Sequence, residues 1–443
     1  PIPSGLDASP RSMIDLFHIV SRVPLYGTLL HGNKQGVVIV PTVGRTIADT
    51  LKAYGVTHLF GMEDPVHIFH ALDRKAVRPV TVHDEKHAAI MAHGYAKATG
   101  RPGVCTATCG PGATNLITGL LEAFKSSIPV VALVQDIPFR NRGRHAASEI
   151  DHAASLAPFV KWVGSIDLAE RAPEMVRHAF RIATTGRPGP VVVLCPADLM
   201  GVETDAAVYV EPDYTKFPAT RTRASRQSIE RAAEVFMSAA RPLIVAGGGA
   251  LASGAWPQIL ELAERYRTPV ATTMNGRGVI PDDHELSVGV LGTSTGGRYG
   301  RGKIANELLK EADTVLILGS RTGQICFSNW TLPGPGTKVI HADIDPTEIG
   351  RNFRTDTGLV GDIRETLIDL IEACRSRNTQ ASHDDAVRRI VALRSEWEQE
   401  TAEVFASAAI PIRPERLLRE ISDRATAETL VVTDASYVTG WAM

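Results

Sequence analysis

The chain has 443 residues, 44% of them hydrophobic and 22% charged, and its 47 basic and 49 acidic side chains give a formal net charge of −2. This balance offers no electrostatic basis for binding nucleic acid or an anionic membrane. No apolar run approaches the roughly 20 residues of a membrane-spanning helix. The length predicts about two or three globular domains.

The cysteines are odd in number, scattered and without a Cys-x-x-Cys pair: Cys105, Cys109, Cys195, Cys326 and Cys374. They predict reduced thiols in a cytoplasmic protein rather than disulfides or a zinc site. Cys109 lies in a glycine-rich turn, where a nucleophile is one reading, but no neighbouring residue looks like its activating base.

Residues 1–44 have weak periodicity and many Gly and Pro residues, which indicates an N-terminal arm. A regular pattern begins with helical apolar spacing over residues 47–54, which Gly55 ends. Strand-like apolar runs follow at residues 58–60, 79–82, 104–108, 129–134 and 191–195, with helical stretches between them. Apolar runs without alternation, separated by helices, indicate a parallel sheet covered on both faces. Residues 45–198 are therefore predicted to form one doubly wound domain.

Residues 199–225 lose this rhythm and indicate a linker. A second doubly wound domain is predicted over residues 226–376, with helices at 229–239 and 363–374 and strands at 243–246, 269–273, 314–318 and 338–342. A polar helix at residues 386–405 occupies a helical linker, residues 377–410. Residues 411–443 begin a third unit, with a helix at 414–421 and a strand at 429–434. The predicted fold class is α/β, with tandem doubly wound parallel-sheet domains.

Glu85 stands where the strand ending at Val82 passes into a helix rich in small residues. Ligands of open α/β sheets sit at such strand-to-helix turns, and Ala88, Ala89 and Gly94 leave room for a flat cofactor. The alternative is an acid in the first helical turn that only favours the helix dipole. A Gly110-Pro111-Gly112 turn after the next strand favours the ligand reading.

Four stretches resemble the thiamine diphosphate (ThDP)-dependent enzymes of the acetolactate synthase and pyruvate oxidase family. They are His83-Asp84-Glu85 with residues 94–100, residues 107–120, residues 186–191 and residues 341–350. The resemblance implies a pyrimidine-binding domain, a central nucleotide-binding-like domain and the start of a pyrophosphate-binding domain, in that order. A single βα unit cannot bury its own apolar faces, so the third domain is expected to be incomplete.

By this resemblance, Glu85 contacts N1′ of the ThDP aminopyrimidine and promotes loss of the C2 proton. The cofactor then decarboxylates a 2-keto acid and joins the product to an acceptor. Cofactor contacts are also implied for Gly110, Pro111, Gly112 and Asn115. Because the family's cofactor spans two subunits, a homodimer or homotetramer is expected.

Magnesium is implied as well, since the family holds the ThDP diphosphate through Mg²⁺ with a Gly-Asp-Gly motif and a following Asn. The sequence ends at Met443 without that motif, so the Mg²⁺ site is expected to lie mostly outside this chain and no metal ligand is predicted within it. The 443-residue polypeptide alone is expected to bind neither Mg²⁺ nor ThDP tightly and to lack carboligase activity.

The central domain resembles the part of acetolactate synthases that holds FAD. The positions that match are Gly247, Gly248, Gly249, Thr272, Thr273, Leu291, Gly292, Thr293, Gly319, Arg321, Asp343 and Ile344. Gly turns after strands favour nucleotide phosphates, and the Arg321 guanidinium suits a pyrophosphate. The full Gly-x-Gly-x-x-Gly pattern is absent, so FAD, ADP and a vestigial site without ligand all remain open.

Two departures from the family pattern affect the substrate. Residues 61–65 read Gly-Met-Glu-Asp-Pro where the family has Gly-Val-Pro-Gly-Gly. Glu63, Asp64 and His67 are therefore candidates to line the substrate pocket, although Asp64 before Pro65 is better explained as a helix cap. The family's Phe-Gln-Glu is Ala147-Ser148-Glu149 here.

The family lysine is matched by Lys161, a second candidate for substrate contact. Arg140, Arg142 and Arg144 could meet an anionic substrate or be solvated. The leading hypothesis is an acetolactate synthase-like carboligase. A ThDP-dependent decarboxylase or acetyltransferase is the alternative among enzymes, and a non-catalytic nucleotide-binding or assembly subunit is the alternative outside them.

Overall fold

The computed structural model describes residues 40–293, 297–377 and 384–442, with the side chain of Arg298 excluded. The arm predicted over residues 1–44 lies outside the described residues except for its last five positions. Of these, Thr42 already caps the first helix, because its side chain accepts a hydrogen bond from the Arg45 N–H.

The first sheet contains six parallel strands in the order β2-β1-β3-β4-β6-β5. Their bounds are β1 His58–Gly61, β2 Arg78–Thr81, β3 Gly103–Ala107, β4 Val130–Asp136, β5 Trp162–Ser165 and β6 Val191–Pro196. Strands β3 and β6 are buried at every position, as expected for β-branched and small apolar residues covered on both faces.

The helices of this half pack on both sides of the sheet. Their bounds are α1 Val43–Ala53, α2 Val66–Ala71, α3 Glu85–Thr99, α4 Pro111–Asn115, α5 Ile117–Ser126, α6 His152–Leu156 and α7 Ala172–Thr184. Helix α3 is capped at both ends. The Asp84 side chain accepts the Lys86 N–H at its start, and Gly100 adopts a left-handed conformation at its end.

The second sheet also contains six parallel strands, in the order β12-β11-β10-β7-β8-β9. Their bounds are β7 Pro242–Ala246, β8 Val270–Thr272, β9 Ser287–Val290, β10 Thr314–Leu318, β11 Lys338–Asp343 and β12 Thr357–Val360. This is the dinucleotide-fold order, in which the chain reverses direction across the sheet between its first and fourth strands. Here that switch point lies between β7 and β10.

The remaining helices surround the second sheet or follow it. Their bounds are α8 Arg226–Met237, α9 Gly248–Ala252, α10 Trp256–Tyr266, α11 Gly302–Glu311, α12 Ile363–Arg375, α13 Asp384–Phe405, α14 Pro414–Arg424 and α15 Tyr437–Trp441. None of the helices in the described ranges has the length and apolar character needed to cross a membrane.

The tandem parallel α/β architecture predicted from the sequence is confirmed. One predicted strand is wrong: residues 429–434 form no strand, and Leu430 and Val432 expose 91% and 92% of their surfaces. A strand needs a hydrogen-bonded neighbour, and none of the described residues pairs with this segment.

The topology determines where ligands can approach. In the first sheet the chain reverses between β1 and β3, which opens a crevice at the carboxyl ends of those strands. The loops that follow β1, β2 and β3 therefore lie together at the carboxyl ends of the strands, which we call the carboxyl edge of the sheet.

Candidate active site

Glu85 is the first residue of α3 and lies at this carboxyl edge. It is 6% exposed, and its Oε2 accepts a 3.0 Å hydrogen bond from the side-chain amide of Asn115. No basic side chain of the described ranges lies within ion-pair distance of its carboxylate. A buried carboxylate is costly without compensating donors, so this position suits a ligand that can donate a hydrogen bond.

The Gly110-Pro111-Gly112 turn contacts Glu85 directly. A Cβ added to Gly112 would lie 2.8 Å from Glu85 Oε1 and 2.7 Å from Thr108 Cγ2. Gly110 has φ of 61° and is the N-cap of α4, with Pro111 at the first helical position. A Cβ on Gly110 would lie 2.6 Å from the Cβ of Ser148. The two glycines are therefore required by neighbours within this chain.

Two functional candidates that the sequence interpretation missed lie beneath the turn. The Gly110 N–H donates a 2.7 Å hydrogen bond to Nε2 of His152. Nδ1 of the same ring lies 2.8 Å from Oδ1 of Asp136, the last residue of β4. A charged residue ending a strand whose first five residues are apolar was a visible signal for Asp136, whereas nothing in the local sequence marks His152.

The loop after β1 lies at the switch point, where the Thr106 hydroxyl donates to the Met62 carbonyl at 3.3 Å. Glu63 is exposed there. The prediction that Asp64 caps the next helix is wrong: Pro65 is the N-cap of α2, and no side chain caps it. The helix begins one residue later than predicted, so Asp64 lies too far from the first free amides. The ring of His67 lies over Gly201, where an added Cβ would be 3.4 Å from its Cε1.

Lys161 lies at the amino ends of the strands, whereas Glu85 lies at their carboxyl ends. It precedes β5, and the amino ends of parallel strands lie opposite the edge that carries Glu85. Its Nζ donates to the carbonyls of Ile182 and Thr185 at the end of α7, at 2.5 and 2.6 Å. Burial and the nearby Arg187 lower the pKa of this ammonium to about 8. The structure therefore does not bring Lys161 to Glu85.

In the second sheet, the glycines expected at a nucleotide contact one another. The Gly249 N–H donates to the Gly319 carbonyl at 2.9 Å, and a Cβ on Gly249 would lie 2.9 Å from the Gly319 Cα. Gly247 meets the same carbonyl, and Asn275 lies beside Gly248. These residues close the switch point between β7 and β10 by direct backbone packing.

The other predicted nucleotide positions lie along the same carboxyl edge. They are the buried Thr272 and Thr273 at the end of β8, Leu291, Gly292 and Thr293 after β9, and Asp343 and Ile344 at the end of β11. The Gly292 N–H donates to Oδ1 of Asn306 at 3.0 Å, and the Thr293 N–H donates to the Ile325 carbonyl at 3.0 Å. Both amides are thus already bonded within the chain.

Arg321 follows β10 and reaches the other half of the molecule, where its guanidinium donates to the Lys125 carbonyl at the end of α5. Arg187 lies nearby: it donates to the Phe124 carbonyl at 3.1 Å and lies 3.4 Å from Glu348 Oε1. Burial and the charge of Arg187 lower the pKa of Arg321, which Glu348 and Asp343 partly offset. A bound anion between these guanidinium groups would relieve their repulsion.

Comparison with known proteins identifies the family. A family model described as "Thiamine pyrophosphate enzyme, N-terminal TPP binding domain" matches residues 41–155, and one described as "Thiamine pyrophosphate enzyme, central domain" matches residues 229–370. The probable acetolactate synthase large subunit of Methanocaldococcus jannaschii is 35% identical over 406 residues, which are 89% of this chain and 67% of that protein. The chain belongs to the ThDP-dependent enzyme family, acetolactate synthase type.

Other relatives of this ThDP-dependent family member have related names. An acetolactate synthase of Arthrospira platensis is 36% identical over 351 residues, 77% of this chain and 60% of the relative. A glyoxylate carboligase of Escherichia coli O157:H7 is 31% identical over 395 residues, 86% of this chain and 64% of the relative. The chain spans 60% to 67% of the length of these proteins.

The segment that replaces the family's Phe-Gln-Glu forms a closed loop in this ThDP-dependent family member. The Glu149 carboxylate accepts the N–H groups of Gly143 and Ala146, and these bonds lower the pKa of Glu149. Ser148 packs on Gly110. Arg142 donates to Asp136 and stacks on a neighbouring ring, whereas Arg140 and Arg144 are exposed.

Glu85 and Asn115 fit the aminopyrimidine ring of ThDP, the cofactor that the family models name. Arg321 and Arg187 are two guanidinium groups close enough for the charge of one to lower the pKa of the other. The described ranges contain no cluster of three or more His, Cys, Asp or Glu residues suited to a metal ion. A cavity of about 810 Å³ lies elsewhere, between α13, α14 and α15, and none of the predicted site residues lines it.

Proposed function

We propose that this chain forms the keto-acid-activating part of a ThDP-dependent carboligase. The enzyme would decarboxylate a 2-keto acid and join the remaining acyl group to an acceptor. One observation carries the proposal: Glu85 is buried at the β1/β3 switch point and oriented by Asn115, within the segment that matches the ThDP-binding family model. The names of the relatives, acetolactate synthase and glyoxylate carboligase, support the same reaction class.

Each residue of the site has a defined part in this proposal. The Glu85 carboxyl group would share a proton with N1′ of the aminopyrimidine, acting as the acid when protonated and as the base when ionised, which is general acid–base catalysis at a fixed position. Asn115 holds Oε2 in place, and Gly112 leaves space for Oε1. ThDP, when bound, supplies the carbon nucleophile and the electron sink for decarboxylation. Burial of Glu85 keeps water away from the proton that it shares.

Two features of the chain bear on the charge of the molecule that accepts the acyl group. Glu63 is an exposed acid on the loop after β1, and an acidic lining there disfavours a second anionic keto acid. The family's Phe-Gln-Glu is replaced by Ala147-Ser148-Glu149, with Ser148 packed on the Gly110 turn. These two features favour, as a second candidate, a ThDP-dependent decarboxylase or acetyltransferase with an uncharged acceptor.

We also propose a nucleotide cofactor, FAD or ADP, on the second sheet. Arg321 and Arg187 would hold its phosphates, and the buried Asp343 at the end of β11 would accept hydrogen bonds from a polar part of the molecule. Because the amides of Gly292 and Thr293 are bonded within the chain, they would contribute through van der Waals contact alone.

The proposal has four further parts, of which the first two rest on the family resemblance. Mg²⁺ would neutralise the cofactor diphosphate. The enzyme would act as a homodimer or homotetramer, and it would be cytoplasmic, in keeping with its five free cysteines. The predicted domain limits, 45–198 and 226–376, are proposed as the units that carry ThDP and the nucleotide.

A panel of 2-keto acids tests the reaction. Full-length protein supplied with ThDP and Mg²⁺ should release carbon dioxide from at least one of them, and the product identifies the acceptor. Glu85→Gln should slow hydrogen–deuterium exchange at C2 of bound ThDP by about 100-fold to 10,000-fold. The exposed Glu122→Gln on α5 is the matched control. Wild-type exchange in Glu85→Gln would rule out the proposed role.

A further inference from the structure

The Gly110 turn is held from below by a side chain that the proposed reaction does not use. The His152 side chain is 1% exposed, and its Nε2 accepts the N–H of Gly110 at 2.7 Å. Gly110 is the N-cap of α4, so this N–H points out of the helix and needs an acceptor from elsewhere. A buried N–H left without an acceptor would destabilise this conformation of the turn.

The tautomer of His152 follows from this bond. Because Nε2 accepts a hydrogen bond, the proton of the neutral ring lies on Nδ1, which faces Asp136 Oδ1 at 2.8 Å. Asp136 also accepts the Ile137 N–H at 2.7 Å and the Arg142 guanidinium at 2.6 Å. Burial raises the pKa of Asp136, but the adjacent His152 ring and the hydrogen bond from the Ile137 N–H outweigh it, so the net pKa is lowered. The 2.8 Å contact lacks hydrogen-bond geometry, so the Asp136 carboxylate favours the proton on Nδ1, and with it the tautomer that serves Gly110, through its charge.

Helix α4 passes this constraint on to Glu85. The helix has five residues, begins immediately after Gly110 and ends at Asn115. Its second residue, Gly112, lies against Glu85 Oε1, and its last, Asn115, donates to Glu85 Oε2. A shift of the N-cap would move both contacts together, because so short a helix moves as one body.

We propose that His152 is a positioning residue: by accepting the Gly110 N–H, it fixes helix α4 and thereby the orientation of the Glu85 carboxylate. Asp136 supports it by fixing the ring tautomer. This inference rests on the proposed role of Glu85 and deepens it, since it names the side chain that orders the site from outside the cofactor contacts.

Two substitutions separate this role from a general packing role. Asn in His152→Asn keeps a polar N–H group near Asp136 but is too short to reach Gly110. Gln in His152→Gln places an amide oxygen near the position of Nε2 and can accept the Gly110 N–H. The control variant is His178→Phe, which replaces an exposed histidine on α7 and so tests the effect of losing an imidazole elsewhere in the same domain.

Hydrogen–deuterium exchange, read by mass spectrometry on peptides spanning residues 107–116, is the first measurement. In His152→Asn the Gly110 amide should exchange about tenfold faster, the effect expected for one lost buried hydrogen bond. His152→Gln should return to within about twofold of wild type, and peptides from β7 and β10 should not change. Unchanged protection in a folded His152→Asn protein contradicts the proposal, as does lost protection in a folded His152→Gln protein.

Exchange at C2 of bound ThDP in the full-length protein is the second measurement. At saturating ThDP, His152→Asn should slow it about tenfold, while the ThDP concentration for half-saturation changes less than about threefold. A packing defect would weaken binding as well. The two hypotheses fail separately: wild-type C2 exchange in Glu85→Gln rejects the proposed function, whereas wild-type Gly110 protection in His152→Asn rejects the positioning role alone.

Discussion

Asn115 and Glu85, 30 positions apart in the sequence, are joined by a 3.0 Å hydrogen bond from the side-chain amide to Oε2. Asn115 is exposed, whereas Glu85 is 6% exposed. The bond links the start of α3 to the end of α4 and gives the carboxylate one orientation.

Loss of this bond should reduce the reaction without unfolding the protein. Asn115→Ala should slow C2 exchange of bound ThDP about tenfold, since one hydrogen bond to a charged group is removed. The protein should still fold because Asn115 is exposed, but its melting temperature should fall slightly, since the buried Glu85 carboxylate loses its donor. Thr114→Ala, which changes the neighbouring residue, should leave exchange unaltered; equal rates in both variants would show that the bond is not used.

An added methyl group at Gly112 should displace Glu85. Gly112→Ala would place Cβ 2.8 Å from Glu85 Oε1, closer than a carbon and an oxygen can approach. We expect C2 exchange to fall at least about 100-fold, as it would for a misplaced general acid–base group. Gly336→Ala, at an exposed loop position with no atom within 4 Å, is the control and should behave as wild type. Normal exchange in Gly112→Ala would contradict the placement of Glu85.

Asp343 and Asp345 should give opposite pH dependences. Burial raises the pKa of Asp343 from 3.8 to about 6, so the folded state binds an extra proton between these values. Its stabilising contribution is present below pH 3.8 and is lost as the pH rises through about 6. Asp343→Asn should therefore stabilise the protein at pH 7.5, by on the order of 2 kcal/mol, relative to its effect at pH 4.5. Urea unfolding at both pH values measures this.

Asp345 provides the matched comparison two residues away. Its burial would raise its pKa, but hydrogen bonds from Thr347 lower it overall. Its contribution is therefore present above the unfolded pKa and lost as the pH falls through the folded value. Asp345→Asn should therefore destabilise the protein at pH 7.5 more than at about pH 3, which lies below the unfolded pKa of 3.8. The same sign of change in both variants would contradict the assignment.

A nucleotide on the second sheet should depend on Arg321. If FAD binds there, the purified protein should be yellow or should quench FAD fluorescence on titration; if ADP binds, isothermal titration should show it. Arg321→Gln should weaken binding of either at least about tenfold. The exposed Arg354→Gln should not weaken it. Equal affinity in both variants would place the phosphates elsewhere.

Self-association should involve the outer face of α3. Ile90 and Met91 expose 42% and 44% of their surfaces there, an unusual position for apolar side chains on a helix that starts at the site. Light scattering at micromolar concentration should give a dimer or tetramer, and Ile90→Asp should shift it toward monomer. Leu168→Asp, at an equally exposed position elsewhere, should not. A monomeric wild-type protein would contradict the prediction.

Most strands that could be predicted from the sequence are completely or almost completely buried; the partly exposed edge strand β2 is the exception. Strand β6 is buried at every position, and its unbroken apolar run predicted it. Strand β5 lies at the sheet edge, is half-buried throughout and contains Gly164, so it carries neither an apolar run nor alternation. Strands β9 and β12, which were also not predicted, are edge strands with a glycine of their own.

Only the parts of the site that directly follow a strand could be predicted from the sequence. Glu85 and the Gly110 turn follow successive strands of the sequence, so the sheet rule alone brings them to one edge. His152 reaches Gly110 from 42 positions away, and no local pattern encodes that contact. Lys161 was matched by motif, but its position before a strand rather than after one places it at the opposite edge.

The mutual packing of Gly247, Gly249 and Gly319 limits the amino-acid substitutions that these three positions can tolerate. Enlarging any one of them requires the backbone of another to move. A compensating reduction at the partner position does not exist, because glycine is already the smallest residue. In a saturation library these three positions should therefore tolerate almost no exchange, singly or in combination, whereas the neighbouring Gly254, which has open space around its Cβ, is limited only by its positive φ of 67°.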